Sequence, residues 1–109
     1  MLAEAAEKLV REKLSVIEKI FEEAKNIADE VASNPGNDIL SVVFAVENYL
    51  REKLALLFAD EAKVDVYVDY ERVDDVLPIY RLKMIANVCV SDGFNTGCAK
   101  VKTEHIVRF

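Results

Sequence analysis

Hydrophobic residues in the first third of the chain recur at steps of three and four, which is the period of an amphipathic helix. Charged residues such as Glu4, Lys8 and Arg11 fall between them. The pattern predicts one long helix over residues 2–32. The apolar face of this helix comprises Leu2, Ala6, Leu9, Val10, Leu14, Ile17, Ile20, Phe21, Ala24, Ile27, Ala28 and Val31.

A cluster of turn-forming residues, Ser33-Asn34-Pro35-Gly36-Asn37, ends this pattern. Asn37 or Asp38 can then cap a second helix over residues 38–60. The first half of that helix, residues 39–46, is apolar nearly all round, so it must be buried on more than one side. The short connection predicts that the two helices are antiparallel neighbours.

From Lys63 the hydrophobic period changes to two, which predicts strands over residues 63–71, 79–91 and 97–108. We therefore expect a single domain over residues 1–109 of the α+β class. Its predicted architecture has two layers, a long antiparallel helical hairpin packed on a three-stranded antiparallel β-meander, in the order α-α-β-β-β.

Charges on the exposed face of the sheet predict its register. Opposite charges meet when Glu71 lies across from Arg81 and Asp69 lies across from Lys83. A four-residue loop between the second and third strands places Lys83 opposite Glu104 as well. Each such pair contributes only about 0.2–1 kcal/mol, but all of them indicate the same alignment.

The two cysteines, Cys89 and Cys98, flank the turn between the last two strands. A four-residue loop places them directly opposite each other, where a disulfide can form, whereas a two-residue Asp92-Gly93 turn makes them diagonal neighbours. A reducing cytoplasm favours two free thiols. The absence of Gln and Trp is typical of proteins from hot environments, which would favour the disulfide.

The single histidine, His105, lies on the opposite face of the sheet and roughly 20 Å from Cys98 along the strand. This separation predicts neither a metal site nor a Cys–His nucleophile pair, and we expect no cofactor. His105 could instead form a pocket with Tyr70, Tyr80 and Thr103, or it could be a hydrogen-bonded residue where the helices meet the sheet.

Composition and charge narrow the classes of partner. The net charge of −6 argues against non-specific nucleic-acid binding, which depends on clustered Lys and Arg. No apolar run is long enough to span a membrane, and the charged start of the chain has no apolar signal region. We therefore expect a cytoplasmic protein without a membrane or nucleic-acid partner.

Residues 54–68, LALLFADEAKVDVYV, resemble the junction between a helix and the first strand in the NTF2-like cone fold. This resemblance implies a small-molecule-binding or isomerase-like protein. It is confined to the junction, because the predicted first helix is longer than in that family, a third helix is absent and fewer strands follow. No functional residue is transferred from it.

The most specific functional expectation concerns self-association. One thin sheet and one neighbouring helix leave apolar residues of the second helix uncovered, and such surface marks an interface. The outer strands are unprotected edges, and Val107-Arg108-Phe109 could join the sheet of another chain. The sequence thus predicts a non-catalytic structural or adaptor protein that forms a homo-oligomer, most simply a two-fold dimer; alternatives are a small-molecule pocket and a nucleic-acid accessory role. The predicted interface comprises Val16, Ile39, Leu40, Val43, Phe44 and Phe109.

Overall fold

A computed structural model describes residues 1–109 and has three helices followed by one three-stranded antiparallel sheet. The predicted α+β class and the β-meander are confirmed. The elements, in chain order, are α1 (Leu2–Glu12), α2 (Leu14–Ser33), α3 (Ile39–Phe58), β1 (Lys63–Arg72), β2 (Ile79–Ser91) and β3 (Thr96–Arg108).

The expected single helix over residues 2–32 is wrong, because the helix is interrupted at Lys13. The helix α3 ends at Phe58, and Lys13 contacts that end through Phe58 and through an ion pair with Glu61 at 3.1 Å. On the N-terminal side of Lys13, α1 packs on β2 and β3. On the C-terminal side, α2 packs mainly on α3. The interruption at Lys13 therefore separates a helix that packs on the sheet from a helix that packs on another helix.

The register of the sheet is the one predicted from the charges. Glu71 pairs with Arg81, Asp69 with Lys83, and Lys83 with Glu104. The loop between β2 and β3 has four residues, 92–95, because Ser91 pairs with Thr96. The two-residue turn is therefore excluded.

The core lies between the sheet and the helices, and α3 contributes most to it. Its buried residues recur at helical spacing. The helix begins at the cap Asp38, whose carboxylate accepts the Ser41 backbone N–H at 3.0 Å. The preceding residue Asn37 caps α2 instead, since its side-chain amide donates to the Val31 carbonyl at 3.0 Å. None of the helices combines the length and apolar content needed to cross a bilayer.

The molecule is elongated, with a longest dimension of 49 Å, and its two ends differ. We call one the hairpin end, where the start of α1 lies against Gly97 and the turn 92–95. We call the other the aromatic end, where Tyr70, Tyr80 and Phe109 are in contact. The bond between Asp29 and His105 places the last turns of α2 beside the second half of β3, near the aromatic end.

Candidate functional site

The free edge of β1 carries backbone groups without partners. The Val73 N–H donates to the Ile79 carbonyl, so the odd-numbered residues of β1 face β2. The even-numbered residues direct their N–H and C=O groups away from the sheet, and no other element hydrogen-bonds to them. These outward-facing residues are Val64, Val66, Val68 and Tyr70.

Beside this edge, α3 forms the wall of a groove. Arg51 and Ala55 of α3, with residues 64–67 of β1, line a cleft of about 370 Å³. At 100° per residue, Leu40 and Phe44 fall within about 60° of Arg51 and Ala55 around the helix axis. We call this surface the β1 groove; it comprises Leu40, Phe44, Arg51 and Ala55 of α3 and the outward-facing edge of β1.

The groove is apolar near the start of α3. Leu40 is 44% exposed and Phe44 is 61% exposed, although both belong to a helix that otherwise supplies most of the core. Arg51 is paired with Glu47 one turn earlier. The β1 groove therefore combines unpaired strand groups with uncovered apolar side chains, which is the chemistry of a protein-binding surface.

The other predicted interface residues are dispersed. Val43 is only 7% exposed and packs in the core of its own chain, which leaves little of its side chain for an interface. Its side chain points toward the sheet and α2 because helical rotation separates it from Phe44 by 100°. Ile39 is half-buried at the start of α3. Val16 is exposed on α2, and Phe109 is partly exposed at the aromatic end.

The residues predicted to form a pocket are not brought together around a cavity. Tyr70 and Tyr80 pack edge to face with ring centroids 6.2 Å apart. The His105 Nε2 lies 2.8 Å from an Asp29 carboxylate oxygen, which joins β3 to α2. Thr103 lines a separate cleft beside α2. His105 is thus a hydrogen-bonded residue where the helices meet the sheet, which is the alternative to a pocket residue.

Cys89 and Cys98 are joined in a disulfide. This is one of the two alternatives left open by the sequence; the other, two free thiols, is the one that a reducing cytoplasm favours. The two cysteines form a non-hydrogen-bonded pair of the antiparallel ladder, the kind in which opposing residues are closest, and their Cα atoms are 4.1 Å apart. The bridge lies on the outer face of the sheet at the hairpin end. It links two strands that already pair, so its structural effect is local.

Several carboxylates have lowered pKa values, and each has a structural cause. Backbone N–H groups of Leu77 and Val76 lower the pKa of Asp74, which pins the loop between β1 and β2. Backbone N–H groups of Asn95 and Phe94 do the same for Asp92 in the turn between β2 and β3.

Two further carboxylates follow the same logic. The Ser41 backbone N–H lowers the pKa of the helix cap Asp38. The hydrogen bond from Arg81, followed by the charge of Lys83, lowers the pKa of Glu71. These groups stabilise turns, a helix start and the sheet, and they do not converge on a cleft.

One group has a raised pKa. Burial, followed by a hydrogen bond to Glu23, raises the pKa of Tyr49 to about 12. The Tyr49 hydroxyl donates to the Glu23 carboxylate and thereby ties α3 to α2. The contact joins two facing helices, and of its two residues only Glu23 borders a cleft, a shallow one on the surface of α2.

The β1 groove was not identified as a site from the sequence, although its parts carried a signal. Leu40 and Phe44 are four residues apart on one helix, and the alternation from Val64 to Tyr70 marks a strand that becomes an edge. Their proximity depends on how α3 is rotated above β1. No three His, Cys, Asp or Glu side chains come together as a metal site.

Comparison with known proteins adds no assignment. No protein-family model, curated protein or solved structure matches this chain. The geometry described above therefore carries the functional conclusion alone.

Proposed function

We propose that this chain is a non-catalytic structural or adaptor protein that acts by associating with further copies of itself through the β1 groove. The observation that carries the proposal is the exposure of Leu40 and Phe44, which by helix rotation lie on the same side of α3 as Arg51 and Ala55, the residues that line the cleft beside β1. A partner that covers this side of α3 would bury these apolar side chains.

The energetic argument rests on the size of Phe44. Fully burying such a side chain contributes about 1.5–3 kcal/mol. A second copy presents the same surface, so a two-fold arrangement that packs Leu40 and Phe44 of the two copies against each other would cover both at once. The acids Asp65, Asp69 and Glu71 oppose direct pairing of β1 with β1, so the contact lies on the α3 side of the groove. This type of contact is isologous, and it produces a closed dimer.

The test measures association over a wide range of concentrations by analytical ultracentrifugation or light scattering. We expect the wild-type chain to show a mass that increases with concentration. Phe44→Glu should weaken association about tenfold or more, because it places a charge in the apolar part of the groove.

Leu56→Glu is the matched control for this variant. Leu56 is 69% exposed on the same helix but lies about 120° around the axis from Phe44. The control should associate like wild type. A chain that stays monomeric at hundreds of micromolar, or equal weakening by both substitutions, would contradict the proposal.

A further inference from the structure

The opposite edge of the sheet is also free, and its chemistry differs from that of the β1 groove. The Phe109 N–H donates to the Pro78 carbonyl, so the odd-numbered residues of β3 face β2. The even-numbered residues of β3 direct their backbone groups outward, and no element of the chain hydrogen-bonds to them. Their side chains lie on the outer face of the sheet.

Three of these outward-facing residues are cations without a partner. Lys100, Lys102 and Arg108 form no ion pair in the chain, and β2 places Asn87, Ile85 and Ile79 opposite them. The one acid of the row, Glu104, lies 3.7 Å from the Arg81 guanidinium, which also pairs with Glu71, so the row keeps an excess of cations. The edge of β3 therefore presents uncompensated positive charge beside unpaired backbone groups.

The inner side of this edge borders α2 across a shallow cleft of about 290 Å³. Leu14 and Phe21 of α2 and Val101 of β3 supply its apolar part. Two acids of α2 also line the cleft: Glu22 is paired with Lys25 at 3.1 Å, and Glu18 forms no ion pair. The inner side of the cleft therefore favours apolar residues over acidic ones. A strand added to β3 would thus contact apolar side chains on its inner side and cations on its outer side.

We infer that the edge of β3 binds an extended peptide segment in which apolar and acidic residues alternate, and that this segment adds a fourth strand to the sheet. Backbone hydrogen bonds to β3 would hold the segment, its acidic residues would face Lys100 and Lys102, and its apolar residues would face Leu14 and Val101.

Charge also decides against a second β3 edge as the occupant. Lysine on an edge strand opposes pairing with another strand that carries the same charge. The sheet itself shows the favourable alternative, because β1 places Asp69 and Glu71 opposite the cations Lys83 and Arg81 of β2. The segment that fits β3 repeats the alternation of β1.

The binding test uses a synthetic peptide with the sequence of residues 64–71, VDVYVDYE, and a matched peptide, VKVYVKYK, in which every acid is replaced by lysine. Titration into the isotope-labelled chain is followed by NMR of backbone amides. We expect the acidic peptide to shift the amides of Lys100, Lys102 and Glu104, and the basic peptide to leave them unchanged.

Charge reversal provides the second arm. Lys100→Glu combined with Lys102→Glu should weaken the acidic peptide roughly tenfold and should permit binding of the basic peptide. Lys8→Glu combined with Lys19→Glu makes the same change in net charge on exposed helical positions, and it should bind like wild type.

Three results would overturn the inference: no shift at millimolar peptide, equal binding of both peptides, or shifts confined to β1. Because the peptide has the sequence of β1, which is part of the β1 groove, the titration is repeated on Phe44→Glu. The same shifts in β3 are expected there, and their loss in Phe44→Glu would show that they depend on self-association.

Discussion

The hairpin end and the aromatic end of the molecule are closed by different contacts. Each has a loop between strands that is pinned by an aspartate, Asp92 at the hairpin end and Asp74 at the aromatic end. At the hairpin end, α1 approaches β3 at Gly97, and a disulfide joins β2 to β3.

At the aromatic end α2 covers the inner face of the sheet through contacts such as Asp29–His105, but no disulfide joins the strands and no helix start closes the end of the sheet. The loop after β1 exposes Val76 and Leu77, and Tyr70 is nearly half exposed beside Tyr80. The comparison shows that backbone hydrogen bonds can hold a loop in place without burying its apolar side chains. At the hairpin end the start of α1 packs on β3 at Gly97, and the aromatic end has no equivalent contact for Val76 and Leu77.

Removing the Cys89–Cys98 disulfide of the hairpin end should have the largest effect on the free energy of unfolding. We expect Cys89→Ser combined with Cys98→Ser to lower the free energy of unfolding by roughly 2–3 kcal/mol, because the bridge closes a short loop in the unfolded chain. Denaturant unfolding of the double variant and of the oxidised wild-type chain measures this difference, and the reduced wild type is the control. Alkylation of the native, unreduced chain at both cysteines would show that the bridge is absent.

The contact of α1 with β3 comes next. A Cβ added at Gly97 would lie 2.2 Å from the Ala3 backbone nitrogen, so Gly97→Ala must displace the start of α1. We expect a loss of about 1–3 kcal/mol in unfolding free energy, with faster hydrogen exchange in α1.

Gly93 supplies the control for that substitution. It has nothing within 4 Å of an added Cβ, but its positive φ of 95° strains any L side chain. Gly93→Asn should therefore cost about 1–2 kcal/mol of backbone strain and leave hydrogen exchange in α1 unchanged. If Gly93→Asn accelerates exchange in α1 as much as Gly97→Ala does, the close approach of α1 at Gly97 is not what closes the hairpin end.

Two phenylalanines compare the ends directly. Phe109 is 37% exposed and packs edge to face on Tyr80, whereas Phe94 is 96% exposed in the turn at the hairpin end. We expect Phe109→Ala to cost about 0.5–1.5 kcal/mol, because it removes an aromatic pair. Phe94→Ala should leave the thermal midpoint unchanged, and a comparable loss in both would remove the distinction.

The smallest effects concern the two aspartates. Both have folded pKa values below the ordinary 3.8, so their contribution is present above that value and is lost as pH falls through the folded pKa. Asp74→Ala and Asp92→Ala should each lower Tm at neutral pH, and each should converge with wild type below about pH 4. Parallel Tm curves for variant and wild type down to low pH would contradict this account.

The strand register was predictable because its determinants are local. The alternation after Lys63 assigns each residue to a face, and the charges of Glu71, Arg81 and Glu104 select one alignment. The turn length was ambiguous from the residues 92–95 alone, since Asp-Gly also suits a two-residue turn.

The break at Lys13 was not predictable in the same way. No glycine or proline marks it, and the apolar stripe continues through Val10, Leu14 and Ile17. Leu14 belongs to that stripe and is nevertheless exposed, because the helix changes direction where α3 ends. At the break Lys13 contacts Phe58 and Glu61, which are more than forty residues away in the sequence.

The sequence by itself determined the class of fold, the order of its elements within each layer and the pairing of its strands, because hydrophobic period and cross-strand charge act between near neighbours. Only the tertiary structure decided which side of α3 stays exposed, where the first helix divides and which strand edges remain open. Those features depend on how whole elements are rotated and where they end, and no short stretch of residues encodes that.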